Sequence, residues 1–484
     1  MPALPIDSDS APVGLHSVLR GLVRREPLCV GPMDSVRDVL RAMDRRGGDV
    51  AVVADPDTNM PLGSVTLRDA LRLIVEESCD LDQPVVGVMT GGLPALSADA
   101  TVQQATLLMV RRGLRYLLLT EPDGRLFNIV AQSELYGLQA AGSEHVVASV
   151  LGAHTIEDLA SAAAEVRGFA ARRLAEGVGP EALCQWISAL NDLVTIQVID
   201  LIEGQFDLPI VPWCWLVFGS EGRLEQTLVT DQDNGIVFAA DSAAEAEALR
   251  REFLPFAEKV NHALDACGFP LCRGQIMACN PSWCLSLDEW RQAFAKWIGA
   301  ALPTALLNST IFFDFRPIYG RDDLSGALRN WLLGYVKDFP TFLRAMAVSA
   351  LETGPPLGMW GRFTFDDSRE YPHTLDLKAQ GIRLFVDAAR VLALAHGVVH
   401  TNTVERLRAE RIMLDMPLEE TAAAVEAFYQ IQRLRLRNQL NGEFPSAANR
   451  LNPNRLHELD RHILKEALRH ARRLQQRVAL DFQV

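Results

Sequence analysis

The stretch that decides the fold runs from Pro212 to Phe238 and reads PWCWLVFGSEGRLEQTLVTDQDNGIVF. Trp213 to Phe218 is a short apolar and aromatic run of strand type, and it stops at Gly219-Ser220. A helix beginning directly after that turn presents unpaired backbone N–H groups and the positive end of its dipole, which together suit a phosphate. Arg223 falls in the first turn of this expected helix, where a guanidinium can hold phosphate oxygens in bidentate fashion. Asp231 and Asp233 then open a second strand that continues from Gly235 to Phe238. Residues two apart on a strand face the same way, so both carboxylates are expected to converge on one site. Two hard oxygen ligands at this spacing suit Mg²⁺, with Mn²⁺ as the alternative ion and the remaining ligands drawn from water and substrate phosphates. Held in this way, paired ions activate an attacking group and stabilise leaving pyrophosphate, as displacement at a nucleoside triphosphate α-phosphate requires.

Upstream lies an internal repeat. Asp34 is placed to cap a helix whose apolar positions Val36, Val39, Leu40 and Met43 fall at i, i+3, i+4 and i+7. The same spacing returns, shifted by 66 residues, at Val102, Ala105, Thr106 and Met109. Each helix leads into a short apolar run (Val50 to Ala54, then Tyr116 to Thr120), a turn, and another strand-like segment ending in a helix. Two βαββα units in tandem over residues 15–140 are the economical reading. Residues 141–205 then read as Ala- and Leu-rich helices forming a structural linker, broken at Gly177 to Pro180. An α/β domain over 206–325 surrounds the decisive stretch. Residues 326–484 read as nearly all helix and hence as a bundle, with the Arg433 to Arg437 run as a charged helix face. The expected fold class is therefore multidomain, α/β plus α.

Composition narrows the function classes. A chain of 484 residues is too long for one core, and 49% hydrophobic with 22% charged residues is ordinary for a globular protein. A formal net charge of -14 argues against nucleic acid as the main partner, because phosphate neutralisation needs an excess of Lys and Arg. No uninterrupted apolar run of membrane-span length stands out, and Met1 to Ser10 has neither a basic flank nor an apolar core, so a cytoplasmic location is expected. Reduced thiols fit that compartment. Cys267, Cys272, Cys279 and Cys284 gather without a CxxC pair and read as small buried apolar residues rather than a zinc site.

The tandem repeat, with the wording PLGSVTLRDAL and VGVMTGG, resembles CBS domains, which pair into a disc and often bind adenosyl ligands. That resemblance implies a ligand site for an adenine nucleotide at Gly63, Thr66 and Asp69, and a homodimer. In the second copy Ala131 and Glu134 stand where a hydroxyl and an aspartate would be expected. The Gly-Ser turn followed by Asp-x-Asp resembles the hallmark of the DNA polymerase β superfamily. More narrowly, GSEGRLEQTLVTDQDN is similar to bacterial nucleotidyltransferases that combine CBS modules with a domain related to protein-PII uridylyltransferase. Further matches are IFFDFRPIYG from Ile311, LDLKAQGI from Leu375 and TNTVERL from Thr401.

The resemblance implies that Gly219, Ser220 and Arg223 form the nucleotide site and that Asp231 and Asp233 bind metal. It also implies an NTP (UTP or ATP) as substrate, a protein or small-molecule acceptor, and a role in signal transduction. Lys378, Arg383 and Arg406 are the cations placed near phosphates or the acceptor. The superfamily adds a third carboxylate from a neighbouring strand, but the candidate strand PLCRGQIMACN (Pro270 to Asn280) holds no acid. Asp314 in FFDFR is the substitute metal ligand, the competing role being a buried pair with Arg316. The opposing functional class is a catalytically inactive CBS-based nucleotide sensor that signals through a partner protein.

Overall fold

The computed structural model describes residues 18–21, 27–46, 50–67, 69, 80–91, 94–100, 104–105, 108–109, 114, 116–131, 143–300, 302–358, 361–365, 369–413, 417–442, 444 and 447–484. The chain divides into two compact units, Met1–Val147 and Ala148–Val484.

In the first unit the sequence repeat becomes a repeat of strand pairing. One sheet takes the order β1 (Cys29–Val30), β2 (Val50–Ala54), β3 (Pro61–Thr66), β4 (Thr90–Gly91), with β1 parallel to β2 and the rest antiparallel. The other takes the order β5 (Ala95–Ser97), β6 (Tyr116–Thr120), β7 (Leu126–Ala131), again one parallel pair followed by one antiparallel pair. Val39 and Met43 of the helix Val36–Arg46 pack on Ala51, Val53 and Val65, while Ala105 and Met109 pack on Leu117, Leu119 and Val130. Val102 and Thr106 lie outside the described residues. Val52, Leu118 and Leu126 close a third small core between the copies, and Asn59 ties its carbonyl and side-chain amide to the backbone of Leu126.

In the second unit a four-stranded sheet has the order β10 (Cys284–Ser286), β9 (Asn234–Phe238), β8 (Trp213–Val217), β11 (Arg316–Gly320). β8 runs antiparallel to β9 and β11, and β10 runs parallel to β9. Every residue of β8 and β9 is buried, so they read as continuous apolar runs because both faces of the sheet are covered. Trp213 and Trp215 meet Phe256 of the helix Ala243–Ala266. Cys214, Leu216 and Phe218 join Trp290, Phe312 and the carboxy-terminal helices in one large core on the other face. The helix Pro180–Glu203 is apolar and long enough to span a membrane by composition, which the sequence had not suggested, but 78% of its most apolar window is buried within the protein. It is a core helix packed on the sheet domain.

The carboxy-terminal region is helical, as expected, around the helices Arg383–His396, Leu418–Asn441 and Glu458–Phe482. It carries one short ladder, β12 (Leu375–Asp376) with β13 (Arg450–Leu451). The Arg433 to Arg437 run is not a uniform solvated face. Arg435 is buried and donates to Asn449 at 2.7 Å, while Arg433 and Arg437 both reach Asp460.

Candidate active site

The Gly-Ser turn and the two aspartates come together at the end of β8 and β9. Antiparallel pairing sets Val217 opposite Asn234, and the Phe218 N–H donates to the Asp233 carbonyl at 2.8 Å. Gly219 follows in the left-handed region at φ +56, and a methyl group placed on it would lie 3.3 Å from Oδ2 of Asp233. The turn therefore lies close beside the second aspartate. The helix expected after the turn is a single turn, Gly219–Gly222, and the chain from 223 to 233 is irregular. Gly222 is held against the other side of the site: a methyl group there would sit 1.8 Å from the Asp314 carbonyl oxygen. The Ser220 hydroxyl has no protein hydrogen-bond partner among the described residues, and its carbonyl accepts from Glu225 N at 2.9 Å.

The alternation of the Asp-Gln-Asp segment is enforced by buried amides. Gln232 points inward and donates to the carbonyls of Asn261 (2.9 Å) and Phe269 (2.8 Å). Asn261 returns its amide to Gln232 Oε1 (2.8 Å) and Asn234 Oδ1 (2.9 Å), and Asn234 Oδ1 also accepts from Ala278 N. With Gln232 and Asn234 turned into the protein, Asp231 is exposed and Asp233 half-buried. Burial and the charge of Asp231 push the Asp233 carboxyl up to about 7, against the opposing pull of a Cys272 hydrogen bond and of the Lys378 and Arg223 cations. Two carboxylates thus share one pocket of field, the electrostatic condition that a cation relieves. Glu221, buried within the turn, was not singled out from sequence. Its carboxyl is pushed up to about 8 by burial and by Asp192, with Arg316 opposing.

The structure places other expected site residues differently. Asp314 is fully buried, its Oδ2 accepting from Arg223 (2.9 Å) and Arg390 (2.7 Å) while Oδ1 lies 2.7 Å from Arg406. Three guanidinium groups surround it and neutralise its charge inside the protein, away from the two aspartates' solvent-facing side, which corrects the expectation of a third metal ligand here. Nor does it pair with Arg316, which binds Asp192 at 2.6 Å instead. Arg223 is likewise buried and committed, with Nε donating to Glu225 at 2.8 Å as well as Nη1 to Asp314, so its guanidinium is a structural brace rather than an exposed phosphate clamp. Arg406 belongs to the same cage and Arg383 pairs with Asp387. Lys378 is exposed, makes no ion pair among the described residues, and acts on Asp233 through its charge. Residues 270–280 form no strand. They turn at Gln275 (φ +57) and serve β9 with backbone groups, and the third strand is β10, which also lacks an acid. Among the described residues no group of three or more His, Cys, Asp or Glu is arranged to hold a metal, the four clustered cysteines included.

In the first unit Thr66 N and Oγ1 both donate to Asp69 Oδ2, at 2.8 and 2.6 Å. The smallness of Gly63 is demanded by β4, since a methyl group there would lie 2.6 Å from the Thr90 carbonyl oxygen. Ala131 ends β7, and Glu134 lies outside the described residues.

The α/β domain, with its Gly-Ser turn against an Asp-x-Asp segment, is backed by a helical domain and preceded in sequence by a CBS-type repeat. Three family models match the chain. "Putative nucleotidyltransferase DUF294" matches residues 164–304, "Putative nucleotidyltransferase substrate binding domain" matches 340–482, and "CBS domain" matches 19–76. The chain thus combines regions similar to those two domains with a region similar to a CBS domain.

Curated relatives include an uncharacterized protein of Methanopyrus kandleri, 27% identical over 124 residues (25% of this chain, 62% of that protein). An uncharacterized 17.7 kDa protein of Acidianus ambivalens is 27% identical over 106 residues (22% and 63%). The chain thus spans less than two thirds of either relative. Similar solved structures include a CBS domain protein of Pyrobaculum aerophilum complexed with AMP (21% identity, 24% of this chain, 89% of that one, TM-score 0.23). Another is CBSX2 in complex with AMP (21%, 25%, 93%, 0.23).

Proposed function

We propose that the second unit moves a nucleoside monophosphate from UTP or ATP to a hydroxyl acceptor on a protein or small molecule, releasing pyrophosphate. The observation that carries this reading is the approach of the Gly219-Ser220 turn to the Asp233 carboxylate, whose Oδ2 lies 3.3 Å from where a methyl group on Gly219 would sit, so that the turn stands beside the acids. Asp231 and Asp233 would hold Mg²⁺ or Mn²⁺, and the donor set fits: two hard oxygens whose mutual repulsion a divalent cation removes. When bound, such ions supply charge neutralisation at the triphosphate and a lowered pKa for the attacking hydroxyl. The chain's own residues do the rest. The Gly219-Ser220 backbone and the unengaged Ser220 hydroxyl seat phosphate oxygens, and the Lys378 ammonium adds positive charge beside Asp233. Asn261 and Gln232 keep the aspartates facing that seat.

The CBS unit is assigned the role of an adenine nucleotide sensor that tunes transfer, with Thr66 and Asp69 at its ligand site and a homodimer as the working assembly in the cytoplasm. A relationship in acceptor chemistry to protein-PII uridylyltransferase belongs to the same proposal. The sensor-only reading is favoured by one observation, the engagement of Asp314 by arginines, which leaves two acids at the site. Incubation of the full chain with each α-labelled NTP, Mg²⁺ and cell lysate separates the two. Label in a macromolecule or metabolite, absent with Asp231→Ala, supports transfer; adenine nucleotide binding with no label transferred supports the sensor.

A further inference from the structure

A spacious cleft in the second unit lies away from the aspartates. It measures about 730 Å³ and is walled by the last turn of the helix Ile156–Ala175, the Gly177 to Pro180 connection and the end of the helix Leu418–Asn441. Gln430, Arg433, Arg437 and Asn441 recur at spacings of three and four, so one helix face points them all into it, and Arg172 enters from the opposite wall. Asp460 anchors two of the arginines, with Oδ1 3.2 Å from Arg433 and Oδ2 2.8 Å from Arg437.

One carboxylate fixing two guanidinium groups leaves a net positive charge, and Arg172 forms no ion pair among the described residues. Gln430 donates to Glu426, and behind the cleft wall Arg433 Nε and Gln430 Oε1 have no hydrogen-bond partner among the described residues. Leu174, Val178 and Leu440 supply an apolar wall. In a chain of net charge -14, pre-aligned arginines beside an apolar wall are a local exception that calls for an anion with a nonpolar part.

From this we infer a second ligand site: the cleft binds a phosphorylated small molecule of mononucleotide size, phosphate on Arg172, Arg433 and Arg437 and its ring system against Leu174 and Leu440. The size favours a small ligand over an acidic peptide, which would need an extended groove. The same helix carries Gln439, which accepts from Leu228 N (3.1 Å) and donates to Thr227 (3.0 Å), and Leu228 and Leu174 pack against one apolar cluster that includes Ala170 and Leu436. The cleft is therefore joined through this helix and cluster to the loop that leads to Asp231.

The inference does not rest on the transfer reaction and is tested by binding. Hydrogen–deuterium exchange on the full chain with millimolar AMP, ATP or inorganic pyrophosphate is expected to show protection at residues 171–182 and 430–442. That protection is expected to persist in Asp231→Ala and to need roughly tenfold more ligand in Arg172→Gln and in Arg433→Gln. Arg172 forms no ion pair or side-chain hydrogen bond among the described residues, so its variant is expected to keep the fold even if Arg433→Gln disturbs Asp460. Protection confined to other segments, unchanged ligand dependence in Arg172→Gln, or no protection with any of the three probes overturns the site. Protection by pyrophosphate equal to that by both nucleotides removes the ring system from the proposal and so overturns it as stated.

Discussion

At Asp233 two effects act in the same direction: withdrawal from water and the charge of Asp231. The carboxyl titrates near 7 in the fold, against about 3.9 in an unfolded chain. Between those values the native state binds the extra proton, so this group's contribution favours the fold below pH 4 and is lost as pH rises through 7. In EDTA, Asp233→Asn is expected to melt roughly 2–6 °C above the parent protein at pH 8 and with it at pH 4, which differential scanning fluorimetry can read. A pH-independent difference would contradict the assignment. Gly222 sets the opposite case. With a methyl group 1.8 Å from the Asp314 carbonyl oxygen, Gly222→Ala forces the turn and the strand apart, and chemical denaturation should register a loss of about 3 kcal/mol or more. At this scale the sequence spoke for the aspartates and the Gly-Ser turn, whose identities carry their chemistry. It misassigned Arg223 and Asp314, because a charged side chain looks the same in sequence whether it faces a ligand or a buried partner.

The elements that aim the site were partly legible. Continuous apolar runs disclosed β8 and β9, and the 66-residue shift disclosed the antiparallel pair β2–β3 and its repeat β6–β7. What sequence did not disclose is how β9 is held. Asn261 sits in the middle of the helix Ala243–Ala266 and bonds to Gln232 across 29 residues, and no periodicity announces an amide that satisfies two others. Residues 270–280 read as a strand by apolar content, yet their backbone groups serve the Gln232 and Asn234 amides, and the ladder resumes only at Cys284. Asn261→Ala leaves both partners short of a hydrogen bond, a stability cost of about 1–3 kcal/mol. Because those partners fix the alternation of Asp231 and Asp233, the variant is expected to lose at least tenfold in kcat of the proposed transfer and to need more Mg²⁺, with its circular dichroism unchanged. Unaltered Mg²⁺ dependence would make Asn261 merely structural.

On the scale of the whole molecule, the second unit is welded through charge. Arg223, Glu225 and Asp314 of the sheet domain meet Arg390, Arg406 and Thr403 of the helical domain, all buried, with Glu225 accepting from Thr403 N at 2.6 Å. Thr401 and Asn402 reach across to the carbonyls of Gly222 and Arg223, so the helical domain holds the Gly-Ser turn in place. Asp314→Ala would remove the carboxylate shared by three buried guanidinium groups and leave Arg406 without an ion pair among the described residues, and the loss of a partner from such a cluster costs roughly 3–5 kcal/mol. Residues 148–484 form their own compact unit and are expected to fold without the CBS unit and to retain the proposed transfer. The central claim concerns the two aspartates as a cation site completed by triphosphate. Electron paramagnetic resonance of Mn²⁺ titrated into the full chain with a nonhydrolysable NTP reads it most directly. Bound Mn²⁺ that requires the analogue and disappears in Asp231→Ala is the predicted result, and equal Mn²⁺ binding by parent and variant would contradict it.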